Sequence, residues 1–139
     1  MGKRKIKVNL STLMQNVLEE RPTTFNDLID IHKQFVEDKK LEGISDSTIE
    51  DYYSSMRYFE KFLDFEYRTE VERLAINSRV LKNYVSYMLN DKGYAPCTVN
   101  IRLKNLKTFF KWAYNNNHIS HDIALNIKTV KAPLDKLSH

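Results

Sequence analysis

The same helix entrance is written twice in this chain, fifty positions apart. Gly43-Ile44-Ser45-Asp46-Ser47-Thr48-Ile49 lines up with Gly93-Tyr94-Ala95-Pro96-Cys97-Thr98-Val99, and Tyr53, Met56 and Phe59 then match Leu103, Leu106 and Phe109. Each copy is a glycine turn opening into an amphipathic segment, so the fold has to supply two corresponding helices. Charge follows the same alignment, with Arg57 and Lys61 falling where Lys107 and Lys111 fall. Helix N-termini present unpaired N–H groups and a partial positive charge, which makes a phosphate backbone the first partner to consider.

The chain is about one domain long at 139 residues, and 42% hydrophobic content is enough to bury a core. Its charge is unevenly spread. Residues 1–76 carry 12 Lys and Arg against 15 Asp and Glu, whereas residues 77–139 carry 10 against 3. A C-terminal half at +7 points to a polyanion held mainly through that half. A single cysteine, Cys97, rules out an internal disulfide and fits a reducing, cytoplasmic setting. No stretch approaches the roughly 18 consecutive apolar residues of a membrane span, and Lys3-Arg4-Lys5 is not followed by an apolar block of the signal-peptide kind.

Three glycines, three prolines and apolar residues recurring at spacings of three and four predict a nearly all-helical chain. Residues 1–22 read as a basic, flexible arm or short extra helix, the apolar residues Leu10, Leu13, Met14, Val17 and Leu18 favouring a helix over 10–19. A first helix follows a Thr23-Thr24 cap and runs to about Lys40, burying Phe25, Leu28, Ile31, Phe35 and Val36. The second starts from Ser45, ends near Glu66 and buries Ile49, Tyr52, Tyr53, Met56, Phe59 and Leu63, with a polar connection from Tyr67 to Asn77 behind it. A Ser78 cap opens the third, which buries Val80, Leu81, Tyr84, Val85, Met88 and Leu89 and stops at Asp91-Lys92-Gly93. The fourth takes Pro96 in its first turn, runs to about Asn115 and buries Val99, Leu103, Leu106, Phe109, Phe110 and Ala113. A short helical turn near Asp122 to Leu125 precedes a linker from Lys128.

Asn100, Lys104, Lys107 and Lys111 share one stripe of the fourth helix at about 100° per residue, clear of its apolar stripe. Most charge runs are solvated faces of mixed sign, but no Asp or Glu occurs from Lys92 to His121, which favours a binding face. The lysines suit phosphate, while Asn100 and Arg102 have head groups able to reach base edges or phosphates. Thr48 and Thr98 occupy equivalent places, and each hydroxyl either caps its helix or donates to a phosphate. Tyr52, Tyr53 and Tyr84 follow the core spacing, which Tyr58 does not, and Trp112 lies at the edge of the apolar stripe. His118 and His121 lack a third ligand and read as loop residues; the carboxylate pairs lie on polar faces, and neither a glycine-rich phosphate loop nor a nucleophile motif occurs. No cofactor and no active site are expected.

Two phrases in order carry a resemblance: Ser45-x-Ser47-Thr48-Ile49-x-x-Tyr52-x-x-x-Met56-x-x-Phe59-x-x-Phe62-Leu63, then Gly93-Tyr94-x-x-x-Thr98-Val99-Asn100-x-Arg102-Leu103-x-x-Leu106-Lys107-x-Phe109-Phe110-Lys111-Trp112-Ala113. With the exit Asn117-His118-Ile119-Ser120-x-Asp122-Ile123-Ala124, the chain over about residues 24–133 resembles the N-terminal core-binding domain of tyrosine recombinases, the phage integrase and Xer-type group. The resemblance implies a SAM-like bundle of four helices in two crossed pairs, with the second and fourth helices facing the major groove of double-stranded DNA. It puts Ser47, Thr48 and Arg57 on one helix, and Thr98, Asn100, Arg102, Lys104, Lys107 and Lys111 on the other, at the DNA. It also implies a separate C-terminal catalytic domain that needs no metal or nucleotide, other recombinase protomers as partners, and a division into residues 1–22, a core-binding domain at 23–127 and the start of an interdomain linker at 128–139. This sequence has Asp122-Ile123 where the family often has Asn-Pro, and Ile101 where an arginine is frequent. The competing reading is a helical protein-interaction module with a basic face.

Overall fold

The structure, a computed structural model, describes residues 22–131. The expected helix over 10–19 and the linker beyond residue 131 lie outside the described residues. Among the described residues the chain is all-α, with α1 (Phe25–Leu41), α2 (Asp46–Tyr67), α3 (Ser78–Ser86) and α4 (Pro96–Asn115) and no strand.

Each start has a local cause. Thr24 opens α1 with a reciprocal box: its hydroxyl accepts from the Asp27 N–H at 3.4 Å, and the Asp27 carboxylate accepts from the Thr24 N–H at 3.0 Å. At α2 the Ser45 hydroxyl accepts from the Thr48 N–H at 3.3 Å. The cap of α4 is Ala95, which offers no side-chain acceptor, and Pro96 supplies the fixed φ of a first helical turn. The two copies of the repeated phrase turn alike, since Gly43 and Gly93 both have positive φ, +81° and +68°, a conformation that a Cβ penalises.

Aromatic rings from all four helices meet in the core. Phe35 of α1 lies 5.4 Å from Phe109 of α4, and Tyr84 of α3 lies 5.2 Å and 5.1 Å from Phe59 and Phe62 of α2. Helix α1 packs on both α2 and α4, which also pack on each other. The expected apolar stripes of α2 and α4 are buried, except that Tyr52 and Tyr53 are half-buried, as are Ile31 of α1 and Val85 and Leu89 of the third helical segment. Two polar residues, His32 and Ser55, are buried with this core. His32 lies 4.8 Å from the Phe109 ring and 5.8 Å from Tyr53, and burial lowers its pKa to about 4, so the imidazole is neutral at pH 7.

Four sequence expectations need correcting. The cap of α3 is Asn77 rather than Ser78, its side-chain oxygen accepting from the Val80 N–H at 3.1 Å. The third helix does not run as an α-helix to Asp91: residues Tyr87–Asp91 form a π turn, the Lys92 N–H reaching the Tyr87 carbonyl at 2.9 Å. In that wider turn Met88 is buried and Tyr87 packs 5.1 Å from Phe62 and 5.5 Å from Phe65. The polar connection is largely a 3-10 helix (Arg68–Arg73), followed by a buried Ile76 whose N–H donates to the Thr23 carbonyl at 2.7 Å. Near Asp122 there is no helix but two successive turns, Leu125 N–H to Asp122 and Ile127 N–H to Ala124, each at 3.1 Å, pinned by the buried Ala124 and Ile127. No helix among the described residues is long and apolar enough to cross a membrane.

Candidate nucleic-acid interface

Helix α4 carries Arg102, Lys104, Lys107 and Lys111 and no carboxylate, and its basic residues divide into three environments. Lys104 and Lys111 are exposed. Lys107 is half-buried, its ammonium donating to the carbonyl of Ala124 at 3.1 Å and to that of Ile127. Asn100 is equally committed: its amide donates to the Val130 carbonyl at 2.8 Å and accepts from the Val130 N–H at 2.7 Å, pairing as a peptide group would. Residues 122–130 thus lie along the stripe, and a groove remains between them and α4, lined by Lys104, Lys107 and Lys111 on one side and Asp122, Leu125 and Thr129 on the other.

Arg102 is held by rings. Its guanidinium carbon sits 3.7 Å from the Tyr58 ring centroid and 4.7 Å from that of Tyr94, so an α2 side chain and the residue after Gly93 both stack on it. Such stacking fixes the guanidinium plane while leaving N–H groups at its edge. The Tyr84 hydroxyl is also within electrostatic reach: burial raises its pKa well above the usual tyrosine range, with the Arg102 charge opposing.

Helix α2 contributes less positive charge. Over Asp46–Tyr67 it carries Arg57 and Lys61 against Asp46, Glu50, Asp51, Glu60, Asp64 and Glu66, so the charge correspondence with α4 stops at two positions. Ser47 is exposed, and the exposed Arg57 donates to the Ser54 hydroxyl at 3.1 Å. Neither repeated threonine is the cap of its helix. Thr48 accepts from the Ser45 hydroxyl at 3.1 Å, and the Thr98 N–H donates to the Ala95 carbonyl at 3.0 Å. The structure therefore gathers Arg102, Lys104 and Lys111 as exposed or edge-presented cations, ties Asn100 and Lys107 to the exit segment, and leaves Ser47, Thr48 and Thr98 in the first turns of α2 and α4 with Arg57 midway along α2.

Sequence reasoning missed Tyr94 as a platform for Arg102; for Tyr58 the signal was its departure from the core spacing. The exit segment's hold on α4 left no periodic trace. His118 stacks on Trp112 with centroids 5.0 Å apart, and His121 lies 2.9 Å from the Ser120 hydroxyl. Among the described residues no group of three or more His, Cys, Asp or Glu is placed to hold a metal ion, and Cys97 is exposed.

The family model described as the phage integrase SAM-like domain matches residues 27–129. The chain is also similar to the tyrosine recombinase XerD of Listeria innocua serovar 6a, at 27% identity over 106 residues. That match covers 76% of this chain and 34% of the relative, so the chain spans about a third of the length of the curated relative it matches. No solved structure matches it.

Proposed function

The chain belongs to the phage integrase SAM-like domain family, and from that premise we propose that it is the DNA-binding domain of a site-specific tyrosine recombinase, gripping duplex DNA at the core site while a catalytic domain outside this sequence breaks and rejoins strands. The observation that carries this reading is the outer face of α4, where Lys104 and Lys111 are exposed, Arg102 is stacked in place, and no acidic residue occurs from Lys92 to His121. Lys104 and Lys111 supply phosphate contacts and Arg102 the contact able to reach a base edge. Ser47, Thr48, Arg57 and Thr98 add contacts from the helix starts and from α2. The domain extends from about residue 23 to the exit segment, works in the cytoplasm, and shares its DNA with other protomers and with the catalytic domain of its own polypeptide.

Half of a two-domain clamp supplies part of the contacts, so the chain alone binds weakly, with a dissociation constant on the order of micromolar or poorer and little sequence preference. Titration of a labelled duplex at low and raised salt tests this: affinity falling steeply with salt supports it, and no binding, or tight binding indifferent to salt, overturns it. The second reading, a protein-interaction module with a basic face, is favoured by Leu125, which is 67% exposed in the groove beside the lysines.

A further inference from the structure

We propose that Asn100 and Lys107 are positioning residues that strap the exit segment along α4, so that the chain leaves the domain at the N-terminal end of that helix, on its basic face. The inference rests on the DNA-binding reading for its functional meaning and on hydrogen bonds for its geometry. From Lys107 back to Asn100 is seven residues of helix, a rise of about 10 Å. From Ile127 to Val130 is three residues, which in extended form also cover about 10 Å. The segment therefore runs antiparallel to α4 with its carbonyls and N–H in step with the two side chains that bind them.

The two grips are chemically different. The Asn100 amide offers one donor and one acceptor to one peptide unit, which fixes direction as well as position. The Lys107 ammonium, a donor only, bridges two carbonyls belonging to one turn, since the Ile127 N–H itself donates to Ala124. An ammonium directed at two carbonyls and half-buried beneath them is turned away from a phosphate outside. The chain therefore passes Val130 beside the first turns of α4, on the side of its basic stripe.

The salt dependence of duplex binding by the 139-residue chain, read together with amide hydrogen exchange, separates positioning from contact. Lys104→Gln should lower the slope of log affinity against log salt by about 0.9, the loss of one phosphate contact. Lys107→Gln should leave that slope unchanged and speed exchange across residues 125–131, with Lys107→Arg restoring protection. Asn100→Ala, which changes no charge, should speed exchange at Val130 and serves if Lys107→Gln fails to fold. A slope lowered by Lys107→Gln as much as by Lys104→Gln, or an exit segment exchanging at the same rate in all variants, overturns the proposal. If the parent chain binds no duplex, the DNA reading falls while the exchange measurements still decide whether the strap exists.

Discussion

The Asn105 side-chain amide donates to the Ser55 hydroxyl at 2.9 Å, joining two residues fifty positions apart that occupy the same place in the two copies of the repeated phrase. Helices α2 and α4 therefore meet at corresponding points, and the repeat is a feature of packing as well as of sequence. Ser55 is buried at 4% exposure, so its hydroxyl depends on this partner. Asn105→Ala should lower stability by about 1 to 2 kcal/mol, and Ser55→Ala in the same background should cost less than it does alone, because the unpaired hydroxyl is gone. Urea unfolding of the two single variants and the double variant checks this; strictly additive losses would show that the bond contributes nothing.

Charge and core on α4 are separable. Replacing Lys104 and Lys111 together by Gln should leave the melting temperature nearly unchanged and lower the salt slope of duplex binding by about 1.8, while Leu106→Ala, at a position 1% exposed, should cost about 2 to 5 kcal/mol of stability. Thermal melts with fluorescence titrations read both quantities, and a double variant that binds like the parent would remove α4 as the DNA face.

Tyr58 should matter through Arg102. Tyr58→Phe keeps the stacking ring and should bind duplex as the parent does, whereas Tyr58→Ala should weaken binding several-fold by freeing the guanidinium, an effect absent in an Arg102→Ala background. Equal affinity for Tyr58→Ala and parent would separate the stacking from recognition.

Acid should destabilise the fold through His32. Its folded pKa of about 4 lies below the ordinary 6.5, so the unfolded chain binds the extra proton first. The stability tied to a neutral imidazole is fully present above pH 6.5, declines as pH falls from there to about 4, and totals about 3 kcal/mol over that 2.5-unit window. His32→Leu should flatten this part of the stability profile, measured by urea unfolding at successive pH values. An unchanged slope between pH 6.5 and 4 would assign the acid response elsewhere.

Much of this was legible because helices advertise themselves. Gly43, Gly93 and Pro96 placed the turns, and the spacing of Leu103, Leu106, Phe109 and Phe110 placed the inner face of α4, to within a residue of the observed ends. Periodicity failed where the backbone stops being an α-helix: the π turn at Tyr87 and the 3-10 helix after Tyr67 have other periods, and Arg68 adopts a φ of +48° that nothing in its side chain announces. His32 escaped because an apolar stripe is read from residue type, and a neutral imidazole among rings breaks that rule. For the candidate site, the lysine stripe could be read from one helix. Which lysine is free depends on carbonyls 17 and 20 residues away, a tertiary fact with no local signature.

The unequal charging of α2 and α4 makes the molecule electrically lopsided. Between residues 22 and 76 there are 7 basic against 13 acidic side chains, and between 77 and 131 there are 9 against 2, a net −6 against +7. On the DNA-binding reading, the field of a duplex would exert a torque on such a body before contact, turning the cations of α4 inward. The encounter is then selected by orientation rather than by collision, and raised salt should slow association before it loosens the complex once formed.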